Sequence, residues 1–450
     1  MISQWYWRLL PLAHRTGSDI FERLYNKESI ATLLESPYPT PTDYPYLCRY
    51  SICAGAPRQF WTPKIGEILP FLNHLLSSGT IFAPLPDHLP FTGGWLGWLG
   101  YDLAWEIEKL PKQNRDPLPF PVAYWYEPET FAVLDHKEQI LWLAATQPTD
   151  LERLESLLEQ DSSSQFKNTI ASPPITFCTD QADYEASVRQ ALKYIKAGDI
   201  FQTNLSLRFT TITHTDSWQI YRTLQKINPS PFASYWRTPW GVVVSCSPER
   251  LVQLDYQKAQ TRPIAGTRPR GMTLEADQKF AEELKANVKE QAEHIMLVDL
   301  ERNDLGRVCR WGSVQVDELL TIERYSHVMH LVSNISGILD NKYNSIDVIR
   351  SLFPGGTITG CPKVRCMEII EELEPFSRSL FYGSCGYLDR RGHLDLNILI
   401  RTLLLTKEKD FYQVWGQVGA GIVADSDPER EWYESLNKAE AQLAALKLSF

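Results

Sequence analysis

The chain has 450 residues, of which 43% are hydrophobic and 22% charged, and its net charge is −10. These values are typical of a globular protein and disfavour nucleic acid as a partner, because an acidic surface repels a phosphate backbone. No run of about 18 apolar residues occurs, and the N-terminus lacks a signal-peptide cleavage site, so we expect a cytoplasmic protein without membrane spans. The eight cysteines contain no CxxC pair, which predicts reduced thiols rather than a zinc site.

The first part of the chain predicts short strands interrupted by prolines. Residues 131–146 predict a hairpin that turns at Asp135, and residues 151–160 predict a surface helix. The Ser-, Asn- and Pro-rich stretch that follows is typical of an exposed linker. These patterns predict three consecutive parts, which are an N-terminal domain over 1–160, a linker over 161–180 and a second domain over 181–446.

The second part predicts a mixed α/β or α+β fold with large sheets. A helical pattern stops at Gly198, and strand patterns follow at 200–211 and 241–255. One long helix is predicted over about 273–299. A final helix begins near Pro428, because proline suits a first helical turn.

Two glycine-rich segments, 353–363 and 416–428, are each predicted to form a loop between a strand and a helix. Such a loop can direct backbone N–H groups at an anion, although a tight turn would show the same composition. Neither segment ends in the Gly-Lys-Ser/Thr of a nucleotide-binding loop. We therefore regard them as candidate anion sites of another kind.

Two helical faces carry candidate metal ligands. Glu290 and Glu293 lie three residues apart, and Glu431 and Glu434 repeat this spacing, so each pair shares one face of a helix. Carboxylate oxygens are the ligands that Mg²⁺ prefers in proteins. A solvated acidic face would show the same spacing, which leaves both interpretations open.

Three charged or titratable side chains accompany apolar strand patterns: Glu249, His330 and Arg401. A carboxylate next to a buried strand can have a raised pKa, as a general acid requires. A buried salt bridge is the structural alternative for each of them. No GxSxG motif indicates a serine nucleophile.

Four long segments together resemble the chorismate-binding enzymes, the family of the anthranilate, aminodeoxychorismate, isochorismate and salicylate synthases. These segments are PIAGTRPRG at 263–271, KEQAEHIMLVDLERNDLGRV at 289–308, FPGGTITGCPKVRCMEIIEELEP at 353–375 and GAGIVADSDPEREWYESLNKA at 419–439. The resemblance is strong over 181–446 and weaker before it. It implies two large β-sheets that pack together with flanking helices, and an active site in the C-terminal part.

The resemblance also implies a set of site residues. Glu293 and Glu434 would hold Mg²⁺, with Glu290 and Glu431 as further ligands or as holders of water, and Glu249 would protonate the departing C4 hydroxyl of chorismate. The other implied residues are His330 and Thr357 beside the ring, Gln202, Ala265, Gly266 and Thr267 near it, and Arg401, Lys438 and the backbone of Gly419, Ala420 and Gly421 at the enolpyruvyl carboxylate.

Two positions bear on the branch of the family. Gln202 stands where isochorismate and salicylate synthases have a lysine that activates water, so ammonia is the expected nucleophile. No glutaminase domain is evident in this sequence. We therefore expect a separate glutaminase subunit to supply the ammonia. Ala265 matches anthranilate synthases, since many aminodeoxychorismate synthases have a nucleophilic lysine there. The contexts QTNLS, FPGGTITG and LPFTGGWLGWLGYDL resemble the aminodeoxychorismate branch instead.

We therefore expect amination of chorismate to 4-amino-4-deoxychorismate, a precursor of p-aminobenzoate and folate. Formation of anthranilate and pyruvate, for tryptophan synthesis, is the alternative that Ala265 supports. A non-catalytic chorismate-binding or regulatory subunit is an alternative of another class. The oligomeric state stays open.

LLES at 33–36 and NPSPF at 228–232 resemble the tryptophan pocket of these large subunits. The residues of this implied pocket are Glu35, Ser36, Pro229, Pro231 and Phe232. The first two could equally cap a turn before Pro37. Bound tryptophan is thus an expectation that comes from the resemblance alone.

Overall fold

The computed structural model describes residues 4–41, 44–78, 86–160, 174–325 and 328–446. The strands are β1 (Tyr6–Pro11), β2 (Ala31–Glu35), β3 (Tyr50–Ala54), β4 (Pro57–Trp61), β5 (Gly94–Leu99), β6 (Ala123–Pro128), β7 (Thr130–Asp135), β8 (Ile140–Ala145), β9 (Thr176–Phe177), β10 (Gln202–Thr213), β11 (Phe232–Thr238), β12 (Gly241–Ser247), β13 (Arg250–Asp255), β14 (Lys258–Arg262), β15 (Ile264–Pro269), β16 (Gln315–Arg324), β17 (Val328–Ile338), β18 (Gly360–Cys361), β19 (Ser384–Asp389), β20 (Leu394–Asn397), β21 (Thr402–Lys407) and β22 (Tyr412–Ile422). The helices are α1 (Gly17–Leu24), α2 (Ile68–Ser78), α3 (Ala104–Ile107), α4 (Pro148–Glu159), α5 (Gln181–Ala197), α6 (Ser217–Ile227), α7 (Leu274–Ala286), α8 (Val288–Gly306), α9 (Ser345–Leu352), α10 (Lys363–Leu373) and α11 (Pro428–Ala445).

Two large antiparallel sheets organise the fold, as the resemblance implied. A twelve-strand sheet has the order β1-β8-β7-β3-β2-β11-β12-β21-β22-β10-β18, with β9 also on β10. A ten-strand sheet has the order β15-β17-β14-β13-β20-β19-β5-β6-β4, with β16 also on β17. Strands from the first 160 residues occur in both sheets, so the two predicted domains are joined by strand pairing.

The main core lies between the sheets and is rich in aromatic side chains. Trp98 on β5 and Trp236 on β11 come from opposite sheets, and their ring centroids are 6.0 Å apart in an edge-to-face arrangement. A second core packs the other face of the twelve-strand sheet against helices, and it includes Leu205 of β10 and Trp432 of α11. One face of this sheet therefore covers the other sheet, and the opposite face carries helices.

Several predicted elements are confirmed. The hairpin at 131–146 is β7 paired with β8, and the helix at 151–160 is α4. Helix α5 ends at Gly198, whose φ of 83° is the left-handed conformation that glycine adopts without strain. Residues 161–173 of the predicted linker lie outside the described residues.

Two local predictions are wrong. The single helix over 273–299 is two helices, because the Asn287 side chain accepts the backbone N–H of Glu290 and so starts α8 as an N-cap. The glycine segments also differ from the prediction. Residues 416–421 belong to strand β22, and the segment 353–363 follows helix α9 rather than a strand. Among the described helices, none is long and apolar enough to cross a membrane.

Candidate active site

Glu249 lies where the chain crosses from β12 in one sheet to β13 in the other. Its side chain is buried, and this desolvation raises its pKa to about 7, while Thr357 and the Ile264 amide lower the pKa in part. Within the described chain, neither Glu249 Oε1 nor Thr357 Oγ1 has a partner in full hydrogen-bond geometry. Glu249 is therefore an acid that holds its proton near neutrality and keeps one oxygen for a ligand.

His330 lies on β17 opposite Thr267 of β15. Its Nδ1 is 3.0 Å from Thr267 Oγ1 and 3.3 Å from the Gly266 carbonyl oxygen. Burial lowers the pKa of His330 to about 4, and the charges of Arg401 and Lys438 lower it further. The imidazole is therefore neutral at physiological pH. Because the carbonyl can only accept, it favours a proton on Nδ1, which leaves Nε2 as an acceptor.

Gly266 forms a bulge in β15 between Ala265, which pairs with Leu331, and Thr267. Its φ is +62°, and a Cβ at this position would lie 2.3 Å from Glu290 Oε2. The positive φ favours glycine here, and any side chain would also displace the Glu290 carboxylate from its present position. The bulge brings a predicted metal ligand against the strand that carries the predicted substrate residues.

The four predicted metal ligands come from α8 and α11, and their charges influence one another. Burial raises the pKa of Glu293; the charge of Lys289 opposes this, and the charges of Glu290 and Glu431 add to it. Burial also raises the pKa of Glu431, and the Glu434 charge raises it further. The two helices thus bring their acidic faces together, as the spacing alone could not show.

The four glutamates offer the carboxylate oxygens that Mg²⁺ prefers as ligands. Glu290 Oε2, Glu293 Oε1 and Glu431 Oε2 are buried oxygens without a hydrogen-bond partner among the described residues, and such oxygens suit a divalent cation. Chain cations balance part of the charge, since Arg268 Nη1 lies 2.8 Å from Glu290 Oε1. No three acidic, His or Cys side chains in the described ranges lie close enough to form a ready ligand set. Metal binding would have to rearrange these side chains.

Two cationic side chains reach the neighbourhood of His330. Burial lowers the pKa of Arg401, and its guanidinium forms no salt bridge within the described parts of the chain. Lys438 Nζ lies 3.0 Å from the Gly419 carbonyl oxygen and 2.9 Å from Glu434 Oε1. A half-buried cation without a salt bridge among the described residues favours an anionic ligand, so Arg401 is the stronger candidate of the two.

The predicted backbone site lies on β22. Gly419, Ala420 and Gly421 pair with β10, whereas β21 pairs with β22 only as far as Gly416. In the described chain, the later part of β22 therefore has one edge without a strand partner, and the Gly419 carbonyl there accepts its hydrogen bond from Lys438. Gln202 covers Gly421, since its Nε2 lies 2.7 Å from the position of a Cβ there.

Glu301 of α8 is a site residue that the sequence analysis missed. It is buried, accepts a hydrogen bond of 2.6 Å from Thr261 Oγ1, and has a pKa raised to about 8, mainly by desolvation and further by the charge of Glu249. Glu301 lies seven residues after His294, which is also buried, so helical spacing could have placed both on the inward face. The acid Glu249 thus has a second carboxyl nearby.

A separate cavity of about 110 Å³ lies near the first strands. Glu35, Ser36, Pro231 and Phe232 line it, whereas Pro229 does not contribute. The buried Glu35 carboxylate accepts hydrogen bonds from the backbone N–H and hydroxyl of Ser18, at 2.6 and 2.7 Å, and from Tyr221. Four of the five residues of the implied tryptophan pocket therefore surround one cavity.

The structure brings together a buried acid, two cations and two acidic helix faces, which are the groups that the motifs indicated, and it adds a second carboxyl near the acid. The family model for chorismate binding enzymes matches residues 31–444, and the chain belongs to this family.

Relatives carry the names of two branches. An anthranilate synthase component I-like protein of Synechocystis sp. is 62% identical, over 99% of this chain and 93% of its own. Aminodeoxychorismate synthase component 1 of Bacillus subtilis is 46% identical, over 80% of this chain and 78% of its own. The crystal structure of anthranilate synthase component I from Streptococcus pneumoniae superposes with a TM-score of 0.78 and 31% identity, over 88% of this chain and 92% of that one.

Proposed function

We propose that the protein aminates chorismate with ammonia and forms 4-amino-4-deoxychorismate. The observation that carries the proposal is Glu249, a buried carboxyl whose pKa of about 7 keeps a proton available at neutral pH. Hydroxide is a poor leaving group, so loss of the C4 hydroxyl needs such a donor. The C4–O bond would break as the Glu249 proton converts the hydroxyl to water, ammonia would form the new C–N bond at C4, and the resulting ammonium group would return a proton to the Glu249 carboxylate.

The other residues would hold the substrate. Chorismate is a dianion, and Arg401 would bind one of its carboxylates through the guanidinium. Lys438 would give up its ion pair with Glu434 and contact the same substrate instead. Mg²⁺, when held by Glu290, Glu293, Glu431 and Glu434, would neutralise the ring carboxylate. Neutral His330 would accept a hydrogen bond at Nε2 without adding a charge.

Gln202 supports amination over hydration. A neutral amide cannot remove a proton from water, so the water addition of an isochorismate synthase has no base at this position. Ammonia needs no such base because the neutral molecule is already a good nucleophile, whereas water is a weak one until it loses a proton. We propose that it comes from a separate glutaminase subunit, since the motifs of this chain account for a chorismate site and not for a glutaminase.

The alternative product is anthranilate, and Ala265 favours it. Ala265 pairs with Leu331 and offers no nucleophile, so a covalent route through a lysine is closed here. Amination at C4 would then require direct attack by ammonia or another nucleophile. The QTNLS and FPGGTITG contexts support 4-amino-4-deoxychorismate, and we give them more weight than the single alanine.

The cavity near β2 is a candidate site for tryptophan. Its lining combines Phe232 and Pro231 with the polar groups of Glu35 and Ser36, which suits a ligand with an aromatic ring and an amino group. Equilibrium dialysis with labelled tryptophan tests this part separately. Binding that survives Phe232→Ala would place the ligand elsewhere.

The test of the reaction is identification of the product. Purified protein is incubated with chorismate, Mg²⁺ and ¹⁵N-ammonium chloride, and the products are separated by mass spectrometry. We expect labelled 4-amino-4-deoxychorismate without pyruvate. Labelled anthranilate with pyruvate, in the absence of an added lyase, would select the alternative. Unchanged chorismate would refute amination altogether.

A further inference from the structure

Strand β10 carries two buried side-chain amides that lack hydrogen-bond donors. Gln202 and Asn204 are 6% and 9% exposed, and within the described residues Gln202 Oε1 and Asn204 Oδ1 have no partner. Residues two apart in a strand share a face, so the two amides lie side by side. Thr203 between them faces the other way, toward the thiol of Cys366. Buried acceptors without donors are unfavourable unless a ligand supplies the missing N–H or O–H.

This pair belongs to the candidate active site. The Asn204 backbone N–H donates to the Thr359 carbonyl oxygen at 2.8 Å, and Thr359 follows two residues after Thr357, which neighbours Glu249. On the other side, Asn204 pairs with Gly421 of β22. The two amides therefore lie between the proton donor and the open edge of β22.

The cations near this strand already have acceptors. Arg378 donates to the Asn204 carbonyl oxygen at 2.8 Å and forms a 2.6 Å ion pair with Glu374. Ser206, the next residue on the same face, donates to Glu374 at 2.7 Å. Among the described residues, neither Arg378 nor Ser206 donates to the two amide oxygens, so both oxygens can accept hydrogen bonds from a ligand.

Ammonia matches this arrangement chemically. It has three N–H donors and one lone pair, so two amide oxygens can hold it while the lone pair points elsewhere. A carboxylate at this place would favour ammonium, which has no lone pair to attack carbon. Neutral amide oxygens bind the N–H groups with a much weaker preference for the cation than a carboxylate has. We propose that Gln202 and Asn204 bind and orient ammonia for attack on the substrate, an inference that rests on the amination proposed above.

The test separates the affinity for ammonia from the affinity for chorismate. The variants are Asn204→Leu, which removes the amide at similar volume, and Asn204→Asp, which keeps the shape and adds charge. Initial rates are measured with ammonium salt at pH 8.5, varying ammonia and chorismate in turn. Asn204→Leu should raise the KM for ammonia by about fivefold to tenfold, the factor for one hydrogen bond, and leave the KM for chorismate nearly unchanged.

Asn204→Asp provides an independent result if the leucine variant does not fold. It should lower kcat at saturating ammonium, because the carboxylate retains the protonated form. Thr203→Val, on the opposite face of the same strand, is the matched control and should leave both constants unchanged.

The outcomes distinguish this inference from the proposed function. If the wild-type protein does not aminate chorismate, both are wrong. If the wild-type protein does so and the ammonia constants of both Asn204 variants equal those of Thr203→Val, only the ammonia assignment is wrong. A change in the KM for chorismate alone would assign the amides to the substrate instead and would also overturn the inference.

Discussion

Replacement of Glu249 by glutamine should lower kcat and, at alkaline pH, raise the stability of the fold. Glutamine keeps the shape of the side chain but cannot donate an acidic proton. We expect kcat to fall by roughly 10²-fold to 10⁴-fold, the usual contribution of a general acid, with a small change in the KM for chorismate. In the wild type, kcat should decline as the pH rises through about 7, because Glu249 then loses its proton.

The same substitution should stabilise the fold at alkaline pH. Glu249 has a pKa of about 7 in the folded protein and 4.5 as its reference value. A raised pKa means that the folded state binds the proton more tightly, so stability is full below about 4.5 and is lost as the pH rises to about 7. The loss amounts to about 3 kcal/mol from the difference in pKa. Glutamine removes this loss because it does not ionise.

The assay is denaturant unfolding of both proteins at pH 5 and at pH 8.5. The stability advantage of Glu249→Gln should be roughly a quarter of its full size at pH 5 and close to its full size at pH 8.5. Glu152→Gln, at an exposed position of α4, is the control and should change neither stability nor kcat. The reasoning would be refuted by a variant with wild-type kcat, or by equal stabilities at both pH values.

Three further substitutions test neighbouring parts of the site. Gly266→Ala should weaken Mg²⁺ binding in calorimetry and destabilise the fold by roughly 1–3 kcal/mol, because its Cβ would meet the Glu290 carboxylate and its φ is positive. Arg268→Gln should strengthen Mg²⁺ binding by about twofold to fivefold, since the metal no longer competes with the guanidinium for Glu290; an unchanged Kd would contradict this. Glu301→Gln should unfold at a higher temperature than wild type at pH 9 and gain much less at pH 5, because the stability that protonated Glu301 contributes is full below about 4.5 and is lost as the pH rises to its folded pKa of about 8.

Local sequence patterns predicted the parts of the site that depend on one element. Three-residue spacing placed Glu290 with Glu293 and Glu431 with Glu434, and both pairs do lie on single helices. The Asn287 N-cap shows how a local signal can be missed, because an Asn followed by Glu three residues later is itself a helix-start pattern. Periodicity alone extended the helix across it.

The rest of the site depends on contacts that no local pattern encodes. Glu249 has a raised pKa because β12 and β13 belong to different sheets, and strand order follows from pairing between distant residues. The burial of Glu301 depends on Thr261, 40 residues earlier in the chain. Ion pairs such as Arg268 with Glu290 also join separate elements. Sequence alone therefore indicated which residue types matter and left their electrostatic states undetermined.

The charge distribution suggests how the proposed substrate could be accommodated between two sheets. Mg²⁺ and a dicarboxylate together carry no net charge, so their joint binding adds none to the interior. Arg268 and Lys438 already neutralise Glu290 and Glu434, and those partners can be exchanged for ligands of the same sign. An exchange of ion pairs avoids most of the desolvation that new buried charge would require. The metal and the substrate should therefore bind cooperatively, each raising the affinity of the other by the same factor.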